Sequence, residues 1–349
     1  MEMSIFQILW FGLVALLIGG YFVLDGFDLG VGILYPFIAK NEEDKAIARR
    51  SVGPVWDGNE VWLLTAGGAL FAAFPPAYAT TFSGFYLAIM LVLFGLIVRA
   101  VSLELRARDY KWRKIWDACF FVGSLLPALL FGVAVGNVLQ GIPMDMNGDY
   151  SGIPLLGLLS PFTLLCGVLG LALFIAQGAG WLALKAPKPS KLQERSASLR
   201  MPLQLVALAV FAILSILLFA FVQPAMADST FLLRILFLVL FLGGLLASIF
   251  MGRKTTQKAD LWAFLTQSVS VFSLVGLWAS TQFPALVVAS EASVGASITL
   301  ANGSSSELAL MWMAGIAAIG VPLVLIYHVV IYRVFRGRVN EKDLASAEY

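Results

Sequence analysis

Leu24-Asp25-Gly26-Phe27-Asp28-Leu29-Gly30-Val31-Gly32 sets two carboxylates three residues apart inside an apolar stretch running roughly over residues 6–37. Residues three apart share one helix face, with Cβ atoms about 5–6 Å from each other. The stretch exceeds the ~20 apolar residues that cross a ~30 Å hydrocarbon core, so it reads as a transmembrane helix long enough to tilt or protrude. No basic segment precedes it and no small-residue cleavage site follows, which favours a span over a cleaved leader. An isolated charge at a bilayer centre costs about 2.5–3.5 kcal/mol on insertion scales. Two acids in such a place need a partner or a task.

Outward from this stretch the chain keeps the same character. Its 349 residues are 60% hydrophobic and 13% charged, with a mean hydropathy of +0.89. That composition excludes the soluble globular class and gives an all-α polytopic membrane protein. By length and apolarity, nine spans are expected, roughly at 6–37, 54–75, 79–103, 115–140, 157–184, 202–223, 230–251, 260–282 and 308–335. The odd-to-even loops and the tail hold 21 of the 23 Lys and Arg residues, and the opposite loops hold none. The positive-inside rule then puts the C-terminus in the cytoplasm and the N-terminus outside. With a net charge of +2, these basic residues read as topology signals and lipid-headgroup contacts, not as a nucleic-acid surface.

The first eight spans are expected to form two related sets of four, 1–140 and 157–282, with 308–349 supplying a ninth helix and a basic tail. Leu91-Val92-Leu93-Phe94 recurs as Leu238-Val239-Leu240-Phe241, and Asp25-Gly26 lines up with Gln177-Gly178. An even number of helices per unit makes both copies point the same way, as in parallel-repeat transporters. The first copy keeps charges where the second has neutral groups, so it reads as the working half.

Seven ionisable residues fall within or at the ends of the first four spans: Asp25, Asp28, Asp57, Glu60, Arg99, Glu104 and Asp117. Asp57 and Glu60 repeat the three-residue spacing of Asp25 and Asp28. Like charges that close in low dielectric do not both ionise cheaply, so each pair points to a shared or shifted proton. The topology puts all seven toward the cytoplasmic side, a pattern that suits a proton-entry funnel. Glu104 and Asp117 read instead as helix-end residues paired with basic loops, and Arg99 either snorkels or pairs with an acid. His328, the single histidine, reads as the holder of a structural hydrogen bond. One histidine and two cysteines inside apolar stretches, Cys119 and Cys166, supply neither a set of haem ligands nor a zinc site.

The stretch quoted first and Gly53-Pro54-Val55-Trp56-Asp57-Gly58-Asn59-Glu60-Val61-Trp62 together resemble subunit II of the cytochrome bd quinol oxidases, including the cyanide-insensitive type. Trp56, Asn59 and Trp62 carry part of that match. It continues through Thr65–Pro75 and Phe82–Tyr86, and on through Gln177-Gly178-Ala179 to the basic tail. The resemblance implies a heterodimer in a bacterial or archaeal cytoplasmic membrane. It implies a haem-bearing subunit I that carries two haems b and one haem d and takes quinol as substrate, with room for a small single-span subunit. No cofactor is implied on this chain. Asp25, Asp28 and Asp57 match positions of the family's proton route, with Glu60 a fourth candidate that some members replace by glutamine. Arg99 matches an intramembrane arginine of the family. Two other readings stand beside this one: a stand-alone proton- or ion-coupled transporter, and a purely structural scaffold whose acids pair statically with Arg99 and the loops.

Overall fold

The structure, a computed structural model, describes residues 3–224, 226–254, 256–340 and 344; Lys342 of the basic tail lies outside them. The all-α polytopic class is borne out. Among the described residues, eight helices are long and apolar enough to cross a membrane. They are α1 (Ile5–Ile38), α5 (Tyr86–Leu105), α6 (Arg113–Gln140), α7 (Pro161–Lys185), α8 (Lys191–Leu217, continued by a π turn through Val222), α9 (Phe231–Gly252), α10 (Gln257–Gln282) and α12 (Glu307–Val334).

Where the sequence suggests a span over 54–75, the chain folds as α3 (Trp56–Ala73), which has 18 residues and opens on Asp57, Asn59 and Glu60. Those polar first turns keep it below the apolarity of the other eight. Pro75, expected to close that span, instead opens a short α4 (Pro75–Gly84), as a residue without a backbone N–H can at a helix start.

One amphipathic helix escaped the apolarity reading, α2 (Glu42–Val52). Asn41 caps it, Glu42, Glu43 and Asp44 occupy its first turn, and Arg49 and Arg50 its last. That charge order complements the helix dipole at both ends.

α1 is the central element. It packs against α7, α3, α6 and α10, while α5 lies on α6 and α9 on α10. Glycine makes the α1–α7 crossing close: a Cβ on Gly30 would lie 1.9 Å from the Phe174 carbonyl oxygen, and one on Gly178 2.3 Å from the Gly30 carbonyl carbon. The backbones touch there, the mode by which small residues join membrane helices. α12 lies at the rim, with only Leu310 of its 28 residues buried.

The two ends of the bundle differ. At one end gather α2, the α5–α6 and α7–α8 turns and the tail, all rich in Lys and Arg. The other is closed by the 283–307 loop, which forms β1 (Ala285–Val287), β2 (Ile298–Thr299) and a one-turn α11 (Leu300–Gly303). β1 and β2 pair antiparallel. The loop is stitched to the helices by Ser305 N–H on the Ala73 carbonyl (2.8 Å), and Trp10 Nε1 donates to the Leu310 carbonyl at the start of α12 (2.9 Å). Beneath it lies an apolar cavity of about 700 Å³ between α1, α3, α5 and α6.

Candidate functional site: a buried arginine among three acids

Asp25 lies 20 residues into α1, about 30 Å along the helix at 1.5 Å per residue. It faces Arg99 of α5, and both side chains are fully buried. Arg99 Nη1 is 2.7 Å from Asp25 Oδ1, and Nη2 is 2.8 Å from Glu60 Oε2 on α3. One guanidinium thus ties together three helices. Its approach is set by Gly123 of α6, where a Cβ would sit 2.8 Å from the Arg99 backbone nitrogen; α6 presses on α5 at this level.

The two contacts of Arg99 differ in kind. That to Glu60 is also a well-aligned hydrogen bond. That to Asp25 is an ion pair off the hydrogen-bond line, which leaves both Asp25 oxygens with acceptor capacity. Glu60 keeps about a quarter of its side chain exposed, whereas Asp25 and Arg99 keep almost none.

Asp28, one turn further along α1, is held differently. Its Oδ2 accepts from Asn59 Nδ2 at 2.7 Å, and the same nitrogen donates to the Leu24 carbonyl at 3.2 Å. Asp28 Oδ1 is buried and has no hydrogen-bond partner among the described residues. Asn59 Oδ1 accepts from the Tyr332 hydroxyl of α12 at 2.9 Å. One cation therefore stands among three carboxylates.

The structure brings Asp25, Asp28, Glu60 and Arg99 together, and Asn59 with them. It does not bring Asp57 into hydrogen-bonding contact with this group: Asp57, one turn before Glu60 on α3, is exposed. Trp56, half-buried, packs against the core cluster of α1 and α2. Trp62 Nε1 donates to His328 Nε2 at 3.1 Å, and His328 Nδ1 meets the Val324 carbonyl at 2.9 Å. Both ring nitrogens of the sole histidine are thus engaged within the chain, and its donor set does not fit axial haem ligation. Among the described residues, no group of three or more His, Cys, Asp or Glu side chains is arranged to hold a metal ion.

Two further ionic clusters flank the site at the basic end. In the first, Asp117 accepts from Tyr35 (2.7 Å), Lys45 (2.7 Å) and Arg106 (2.9 Å), and Arg106 reaches Glu42 as well. Asp117 is therefore tied to the basic segments around it. The second was not visible in the sequence: Asp260, only 1% exposed, is held between Arg200 (2.9 Å) and Arg338 (3.2 Å). The only signal for it was an acid at the start of an expected span, the common pattern of a helix end. Beside this ion pair, the second half buries neutral polar groups. Gln204 Nε2 donates to Ser248 Oγ (2.7 Å) and Gln267 Oε1 (2.8 Å), and Gln177 Nε2 to the Val23 carbonyl (2.9 Å).

Residues 6–335 match the family model described as cytochrome bd terminal oxidase subunit II. The chain belongs to the cytochrome bd terminal oxidase subunit II family. It is 34% identical over 374 aligned residues to cytochrome bd-I ubiquinol oxidase subunit 2 of Escherichia coli, covering 98% of this chain and 97% of that one. With cytochrome bd ubiquinol oxidase subunit 2 of Bacillus subtilis it shares 36% over 349 aligned residues, covering 96% and 97%. In fold, this chain is similar to a chain of the bd oxidase from Geobacillus thermodenitrificans, with a TM-score of 0.78 at 14% identity, covering 95% of this chain and 99% of that one.

Proposed function

We propose that this chain is the haem-free subunit II of a quinol:dioxygen oxidoreductase in an aerobic respiratory chain. It packs against and stabilises a haem-bearing subunit I and supplies that subunit with protons from the cytoplasm. The partner holds the two haems b and the haem d and takes the quinol, as the family resemblance implies. The carrying observation is the buried Asp25–Arg99–Glu60 group with Asp28 beside it, three acids around one cation at the level of the α1–α5 contact.

Reduction of dioxygen to water consumes protons and electrons in equal number, and those protons must reach a buried centre. Carboxylates spaced along two helices accept and release them through short water chains. Asp57, exposed on α3 near the basic end, collects protons. Glu60, one turn inward and partly exposed, and Asp28 stand between it and Asp25. The basic end faces the cytoplasm by the positive-inside rule, so the N-terminus is outside. Arg99 keeps the acids from repelling one another and orders Asp25 without saturating its oxygens. The two four-helix sets divide the work: the charged set carries protons, and the second, its polar centre neutral, is scaffold.

A static reading draws on the same ion pair, with Asp25 and Glu60 only neutralising Arg99. Asp25→Asn separates the two, because asparagine keeps the shape and removes the titratable group. In the intact complex the variant is expected to slow oxygen consumption about a hundredfold, the lower end of the range for a lost proton-transfer group, while the haem spectra and subunit content stay unchanged. Turnover at the wild-type rate would leave Asp25 with the static role.

A further inference from the structure

α12 touches the bundle through few side chains, and one of them reaches the acid site. Asn59 is 1% exposed, and chemistry fixes the orientation of its amide. The Leu24 carbonyl only accepts, so the group 3.2 Å from it is Nδ2. Oδ1 therefore faces Tyr332, and at 2.9 Å the phenol must be the donor. Nδ2 gives its second hydrogen to Asp28 Oδ2 at 2.7 Å. The string Tyr332 to Asn59 to Asp28 thus has a single polarity. A proton on Asp28 Oδ2 would oppose the amide hydrogen, donor against donor. Oδ1, buried and without a partner among the described residues, is the open oxygen.

We infer that Tyr332 is a positioning residue for the proton route: through Asn59 it reserves Oδ2 of Asp28 as an acceptor, so that Asp28 takes and gives its proton at Oδ1. This rests on the reading of Asp28 as a proton carrier. Tyr332 acts at a distance of one side chain and touches no reacting atom. Its ring stacks edge-on against Trp181, with centroids 6.0 Å apart, so Tyr332→Phe removes the hydroxyl and keeps the packing.

The test uses the whole oxidase complex carrying ¹³C-carboxyl aspartate. The infrared difference between wild type and Asp28→Asn isolates the Asp28 band. In Tyr332→Phe the carbonyl stretch of protonated Asp28 is expected to move to higher wavenumber, because Oδ2 loses a well-held donor. In Asn59→Ala it moves the same way, and adding Tyr332→Phe to Asn59→Ala moves it no further. Oxygen consumption at saturating quinol is expected to fall about two- to tenfold in Tyr332→Phe, with the KM for quinol and the haem spectra unchanged. An Asp28 band that does not move in Tyr332→Phe, or that moves equally in the Asn59→Ala background, overturns the inference. Wild-type turnover in Asp28→Asn would instead remove Asp28 from the proton route, whatever its infrared band shows.

Discussion

Arg99 and His328 show what a single residue decides in this bundle. Removing one member of a buried ion pair typically costs about 3–5 kcal/mol, because the other charge is left unbalanced. Arg99 would leave two acids in that state, which explains why a full charge is kept at the junction of three helices. His328 answers a different question. Trp62 N–H has only a lone pair to point at, so Nε2 is unprotonated and the proton sits on Nδ1, facing the Val324 carbonyl 2.9 Å away. Nitrogen-15 spectra of the complex, with His328→Gln subtracted to isolate the ring, should show the Nδ1–H tautomer. An Nε2–H tautomer would break the Trp62 contact. The sequence exposed the acids, since charge in an apolar stretch is visible one residue at a time. It did not expose Asn59 as the group holding Asp28, or that Glu60 shares the guanidinium with Asp25. Those partners are 31 residues apart for Asn59 and Asp28 and 39 for Arg99 and Glu60. Spacing along one helix does not give the rotation of its neighbour.

Among the elements, α2 is the clearest case of structure carried by charge. It buries Ile47, Ala48 and Val52 in the core, and its polar face is fixed by ion pairs to the ends of α5 and α6: Glu42 on Arg106 at 2.9 Å, and Lys45 on Asp117 at 2.7 Å. The hydrogen bond from Arg106 holds the Glu42 carboxyl below the usual carboxylate range. A carboxyl lowered in the folded state contributes stability above its unfolded value, and that contribution is lost as pH falls through the lowered one. Amide exchange in α2, corrected for the intrinsic pH dependence of the exchange reaction, should therefore be level from neutrality down to about pH 5 and rise below about pH 4, the ordinary carboxylate region. Glu42→Gln should flatten part of that rise. A loss of protection already near neutrality would contradict this placement of the charge. The apolarity of the sequence predicted the long helices and missed α2, because an amphipathic surface helix has no apolar run to detect. It also set the start of α8 at 202, although Ser190 caps that helix twelve residues earlier and its first turns are polar.

At the scale of the whole molecule, the charge alternation of the loops separates the two ends of the bundle, and the structure gathers α2, the basic turns and the tail at one of them. What the sequence left hidden is how that end is sewn together. Arg338 of the tail bonds Asp260 of α10 and the Ala183 carbonyl of α7 (3.0 Å), so residues 78 and 155 apart hold α12 in place over Asn59. The acid group lies on the same side of the bundle's middle as this end. A proton route through it must open there and pass inward past Glu60 and Asp28 to Asp25. The most direct measurement is side-resolved proton uptake by the complex in sealed vesicles, with a pH indicator trapped inside and the tail's side marked by a protease-accessible tag. On an oxygen pulse, protons should disappear from the side that holds the tail, and Asp25→Asn and Asp28→Asn should slow that uptake while the haem spectra stay intact. Uptake from the opposite side, or an unaltered rate in both variants, would contradict a proton route through these acids.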